Sequence, residues 1–198
     1  MVLYIYRLTD DSGFAPCVDN NLLSLACCKG GKIRNNNVIE TGLRHRIGTF
    51  READYRTEDV YILGVYRNKM LYLARVTNVV TMNEYFSGMS KGRTDDIYKL
   101  DNNALVRNRK LRNKNIHTEQ GRIIRDIAGK FVVLSDDYIY LGKDALEIVD
   151  INKYYPMGHG TKVYKDEVAE EIVNVCKKYQ DGKRHIPNVP IYEHGGCK

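Results

Sequence analysis

No apolar run in the sequence approaches the roughly 18 residues needed to span a bilayer, and the N-terminus lacks the apolar core of a signal peptide. A membrane-spanning chain and a Sec-exported chain are therefore not expected. The five cysteines, at positions 17, 27, 28, 176 and 197, contain no C-x-x-C pair. That disfavours a disulfide scaffold and a closed zinc site, and it fits a reducing cytoplasm. Also absent are G-x-S-x-G, H-E-x-x-H, H-x-E with P-C-x-x-C, G-x-G-x-x-G and the Walker A spacing. The common serine-hydrolase, zincin, zinc-deaminase, dinucleotide-binding and P-loop readings go with them. No internal repeat and no long linker is visible.

What remains is 198 residues, 43% apolar and 28% charged, enough to build a core. One domain over residues 1–182 and an extended tail over 183–198 are expected. The net charge of +6 is concentrated in one place. Residues 107–125 carry seven cations (Arg107, Arg109, Lys110, Arg112, Lys114, Arg122 and Arg125) against one acid, Glu119. Such a run attracts polyanions through counterion release, or it is a solvated surface segment. No aromatic residue interleaves it, so base stacking would have to come from elsewhere.

Val2–Leu8 alternates between two faces and reads as a strand. Leu22–Cys28 is a short apolar stretch, read as one or two helical turns. Val60–Tyr66 and Leu71–Val80 form the strongest strand pair, with a hairpin at 67–70. Thr81-Met82-Asn83-Glu84 has the spacing of a capping box. Phe131–Ser135 and Tyr138–Gly142 read as a second hairpin turning at Asp136-Asp137. Over Asp166–Tyr179, Val168, Ile172, Val175, Cys176 and Tyr179 share a helical stripe, with acids in the first turn and lysines in the last. The fold class is α+β: a β-rich twisted sheet or PUA-like pseudo-barrel, with short helices and one C-terminal amphipathic helix.

Several short motifs can carry chemistry, each with an ordinary alternative. Gly13-Phe14-Ala15-Pro16 makes a rigid loop at a strand end, where a ligand contact or a plain turn would both fit. Cys28 beside Lys29 is a nucleophile with a lowered pKa, or a space-filling thiol. Lys29, Lys32 and Arg34 around Gly30-Gly31 can cradle a phosphate. Asp95-Asp96-Ile97-Tyr98 pairs carboxylates beside a tyrosine, for acid–base work or for turns. Ser135 precedes Tyr138 and Tyr140, two rings on one strand face that can stack on a base or fill a core. His159, between two glycines, can meet a phosphate, act as a base or be a loop residue.

Read in order, these motifs resemble the nucleotide-modification-associated domain family, type 2. Tyr4-Ile5-Tyr6, Gly13–Pro16 and Leu25–Lys29 with Ile33-Arg34 look like its N-terminal signature. Leu71–Thr77 with Glu84-Tyr85-Phe86 resembles its central strand and short helix. Asp95–Tyr98, Val133–Ser135 with Tyr138–Gly142, and Gly158-His159-Gly160 resemble its later elements, so the likeness spans about residues 2–180. Cys17-Val18 stands where the family has Asn-Pro, and Gly30 where it has Pro. Thr57–Val60 stands in place of a G-D-W strand start, and Met157 in place of an Arg. The missing tryptophan removes a stacking surface; the missing arginine removes an anion contact beside His159.

The resemblance implies a small α+β domain of bacteria and phages, linked to modified bases or nucleotides with no settled reaction. The strand order is also similar to PUA-like pseudo-barrels, at the level of fold only. The expected function is binding of a nucleotide or modified nucleobase, free or in DNA or RNA. The expected ligand-binding set is Gly13, Phe14, Ala15, Pro16, Cys28, Lys29, Arg34, Asp96, Tyr98, Ser135, Tyr138, Tyr140 and His159. The seven cations of 107–125 would hold the nucleic-acid backbone. An enzyme using Cys28, or His159 with Asp96, is one alternative. A phage accessory protein that sequesters a signalling nucleotide, in an anti-defence role, is another. No cofactor and no metal are expected. The partner is a nucleotide or nucleic acid, not a membrane, and self-association stays open. The setting is the cytoplasm of a bacterial or phage-infected cell.

Overall fold

The computed structural model describes residues 1–35, 37–102, 104–108, 120–158 and 160–179. In chain order these form β1 (Val2–Leu8), β2 (Cys17–Asp19), β3 (Leu22–Leu25), β4 (Gly31–Arg34), β5 (Asn37–Thr41) and α1 (Leu43–Gly48). Next come β6 (Val60–Tyr66), β7 (Lys69–Arg75), β8 (Asn78–Thr81) and α2 (Met82–Glu84), which runs into a π turn over Tyr85–Met89. Then follow β9 (Tyr98–Asp101), β10 (Ala104–Arg107), α3 (Gln120–Ala128), β11 (Phe131–Ser135), β12 (Asp137–Tyr140), β13 (Leu146–Glu147), β14 (Thr161–Lys165) and α4 (Asp166–Lys178).

Two sheets pack face to face. The larger has the order β12-β7-β6-β1-β14, with β13 also pairing to β7; the smaller has the order β2-β3-β11-β8. β1 and β6 run parallel, whereas the other pairs in both sheets are antiparallel. The alternation in β1 explains the layers. Leu3 and Ile5 meet Ala169, Ile172, Val173 and Cys176 of α4. Val2, Tyr4, Tyr6 and Leu8 meet Leu23, Leu25 and Val133 of the smaller sheet, and Leu43 and Ile47 of α1. The outer face of the smaller sheet is covered in turn by Phe14, Met82, Tyr85, Phe86, Ile97 and Tyr98. Burial on both faces is why β1 and β6 read as nearly continuous apolar runs. Burying Ile172 and Val173 of α4 contributes about 1.5–3 kcal/mol each.

The C-terminal helix forms as expected, and Val60–Tyr66 pairs with the strand that follows it. Arg67 and Asn68, both at positive φ, make a two-residue turn between β6 and β7. The capping box at Thr81 and Glu84 is complete. Three expectations are corrected. Leu22–Cys28 is not helical: Leu22–Leu25 is a strand that pairs with β2 and β11. A short apolar run does not reveal its period. Leu71–Val80 is not one strand but two in different sheets. Val76 N–H still bonds to Val60 O in the larger sheet (2.7 Å), while Thr77 N–H bonds to Leu134 O in the smaller (3.0 Å). β11 and β12 likewise form no hairpin, because the single residue between them is too short to close one. Ser135 Oγ donates to Asp137 O (2.8 Å) and accepts from Asp137 N–H (3.2 Å), which turns the chain from one sheet into the other. The α+β class and the C-terminal helix are present, and the sheets close no barrel. No helix among the described residues is long and apolar enough to cross a membrane. The tail from 183 lies outside the described residues.

Candidate functional site

A cleft of ≈ 880 Å³ opens beside the C-terminal end of β1. Its walls come from Leu8–Asp10, Ser12 and Ala15 after β1, from the β4–β5 hairpin, from Leu43 and Arg46 of α1, and from Arg122, Arg125 and Asp126 of α3. Cys28 and Lys29 form its floor, and Gly160 and Thr161 close one end. Six cations line it (Lys29, Lys32, Arg34, Arg46, Arg122, Arg125) against three carboxylates (Asp10, Glu40, Asp126), so the cleft is cationic. Lys32 pairs with Glu40, and Arg46 pairs with Glu52. Glu52 is held below the ordinary carboxylate range: burial works against this, and hydrogen bonds from Arg46 and Tyr4 overcome it. Arg34 and Arg125 are exposed and make no ion pair with the described residues.

The floor is fixed by a buried arginine. Arg44 is fully buried, and its guanidinium donates to three backbone carbonyls: Cys28 O (2.7 Å), Phe131 O (2.6 Å) and Asp126 O. Burial pulls its pKa down while Asp126 opposes that shift. The Asp126 carboxylate accepts Cys28 N–H (2.6 Å) on one oxygen and Tyr98 O–H (2.7 Å) on the other. Cys28 and Lys29 therefore sit with positive φ (55° and 49°) in a loop held from both sides. Gly30 is required next to them, because a Cβ there would lie 1.8 Å from Arg125 O. The chemistry of the floor and the position of α3 are thus coupled through backbone contacts.

Behind the floor lies a row of tyrosines. Register places Tyr140 opposite Tyr72, Tyr72 opposite Gly64, and Gly64 beside Tyr6. Gly64 leaves the space that the Tyr72 ring occupies; a Cβ would meet that ring at 2.1 Å. Tyr6 and Tyr72 therefore meet hydroxyl to hydroxyl (2.7 Å) across the glycine strand. Tyr140 O–H donates to buried Asp11 (2.8 Å). Burial, with the nearby Asp11 charge, pushes all three phenols far above their ordinary range. Lys29 Nζ covers the Tyr6 ring, 4.6 Å from its centroid, and donates to Arg7 O (3.2 Å).

The expected residues divide between several places. Ala15, Cys28, Lys29 and Arg34 line the cleft, as do Arg122 and Arg125. Gly13 and Pro16 belong to the same loop as Ala15, with a cis Ala15-Pro16 peptide, while Phe14 points into the core under the smaller sheet. Tyr98 stands behind the cleft, its hydroxyl on Asp126 and its ring 5.3 Å from Phe86. Tyr138 and Tyr140 are core residues between the two sheets. Ser135 serves the corner between β11 and β12, and Asp96 accepts from Ser90 Oγ (2.6 Å). Asp95, its neighbour, is buried in a network with Arg93, Ser24 and Tyr85. Arg107 ends β10. His159, Arg109, Lys110, Arg112 and Lys114 lie outside the described residues.

Sequence reasoning missed Arg44, Asp126, Asp11, Ser24 and Arg93. Charged residues read as surface unless something marks their partners, and these partners are backbone carbonyls or distant side chains. The one available signal was Asp126, an acid directly after the basic run. Among the described residues no cluster of His, Cys, Asp and Glu could hold a metal ion.

Residues 1–193 match the family described as Nucleotide modification associated domain 2. The chain belongs to that family. No curated protein and no solved structure matches it. The family description points to nucleotides and their modification, and the resemblance carried by the short motifs holds over nearly the whole chain.

Proposed function

We propose that the cationic cleft binds a nucleotide, free or within a nucleic acid, with phosphate held among the cations Lys29, Arg34, Arg122 and Arg125. One observation carries this reading: four separate segments of a nucleotide-modification family member bring cations to one concave site, and two of those cations are exposed and unpaired among the described residues. Exposed arginines without carboxylate partners favour anions, and charge-assisted bonds to phosphate are strong. The buried hydroxyl row and the Arg44–Asp126 contacts hold the floor rigid, which lowers the ordering cost of binding. Arg107 and the other cations of 109–114 would add charge-driven affinity.

Calorimetry against a panel of nucleotides, modified nucleotides and oligonucleotides tests the reading, with mass spectrometry of the recovered ligand. Saturable binding, weakened by Arg34→Glu, and return of unchanged ligand are expected. Converted ligand would make the protein an enzyme. No binding to any member of the panel would overturn the reading.

A further inference from the structure

Resting on that reading, we infer that the cleft grips the sugar–phosphate backbone of a nucleic acid and leaves its bases outside. No aromatic ring lines the cleft among the described residues; its apolar lining is aliphatic, from Leu8, Ile33, Ile39 and Leu43. Single-stranded bases are ordinarily held by stacking on aromatic faces, each contact worth about 1–3 kcal/mol. The ring nearest the floor, Tyr6, is withdrawn from that role, because it is buried, its face is covered by Lys29 and its hydroxyl is spent on Tyr72.

Anion contacts, by contrast, are repeated. Arg122 and Arg125 stand three residues apart on one face of α3, a separation of about 5–6 Å between Cβ atoms. Arg34 faces the same cleft from the β4–β5 hairpin, and Lys29 lies in the floor. A site that multiplies phosphate contacts and omits base platforms reads backbone, not sequence.

The test is fluorescence anisotropy with twelve-nucleotide strands of dT, dA and rU, an abasic strand of the same length, a duplex and a mononucleotide. The abasic strand should bind within about threefold of dT, and the mononucleotide at least about tenfold more weakly, since it meets only one of the phosphate contacts. Three or four phosphates neutralised in the cleft contribute about −2 to −3 to the log–log salt slope, and the exposed double variant Arg34→Gln/Arg125→Gln should move it toward zero by about 1.4. Duplex binding with a steep salt dependence supports this inference; loss of binding by the abasic strand or equal binding of the mononucleotide overturns it. In those cases the nucleotide-binding reading survives. Silence from every probe overturns both.

Discussion

Two arginines are buried among the described residues, and they are buried differently. Arg93 sits in a closed network: it donates to Asp19 O, Leu22 O, Ser24 Oγ and Tyr85 Oη, and its charge is met by Asp95 at 3.4 Å. Asp95 is itself satisfied by Ser24 and Tyr85. Arg44 donates to carbonyls alone, while the nearest carboxylate, Asp126, turns its oxygens to Cys28 N–H and Tyr98 O–H. The first arrangement ties the smaller sheet to the segment after α2 and ends there. The second has both its ends in the cleft. A buried guanidinium therefore does two jobs here: one closes the fold, and the other fixes where a ligand would sit.

The strongest way to break the comparison is to remove each guanidinium. Arg93→Met and Arg44→Met should each cost about 3–5 kcal/mol in urea unfolding, since both strand buried acceptors. A loss under about 1 kcal/mol at either site would show that its bonds are replaced by water. The carboxylates sharpen the contrast. Asp126→Asn should weaken cleft binding about tenfold, or 1.4 kcal/mol, by loosening Cys28 and Lys29, whereas Asp95→Asn should leave binding unchanged. Equal effects on binding would erase the distinction.

Acid titration separates carboxylates of opposite sign. Burial raises the Asp95 pKa above its ordinary 3.8, against hydrogen bonds from Ser24 and the Arg93 charge. Its favourable contribution is full below pH 3.8 and is lost as pH rises through the folded value. Glu52 is lowered from 4.5, so its contribution is present above pH 4.5 and is lost as pH falls through the folded value. From pH 7 to pH 3 the stability deficit of Glu52→Gln relative to the unchanged protein should shrink, and that of Asp95→Asn should grow. Parallel trends in melting temperature would refute this assignment. The smallest effect belongs to the tyrosine row: Tyr72→Phe removes one neutral hydroxyl bond and should cost about 0.5–1.5 kcal/mol, read by urea unfolding.

Much of the frame was legible before the coordinates. β1, β6 and α4 announce themselves by period, and Thr81 and Glu84 by spacing. Lys29 and Arg34 stood out as candidates because Gly30-Gly31 lies between them. The sheet exchanges did not show: Val76-Thr77 carries no strong turn chemistry and is handed over by long-range backbone bonds, and Asp136-Asp137 reads as an ordinary hairpin turn. Arg44 and Asp126 stayed hidden for a related reason: their partners lie 82 to 98 residues apart for most of these bonds, beyond any local pattern. Tyr138 and Tyr140 were correctly seen to share a face, but alternation does not say whether a face meets solvent or a second sheet.

The β4–β5 hairpin is held at its base, where Gly42 N–H bonds to Gly30 O (2.9 Å), and along its strands by α3, while Arg34, Asn35 and Asn37–Glu40 are exposed. An exposed hairpin turn can be lengthened at little thermodynamic cost, about 0.6 kcal/mol for each doubling of a loop. How far the protein reaches over the cleft is therefore set by a segment that evolution can extend or trim without rebuilding the double-sheet interior.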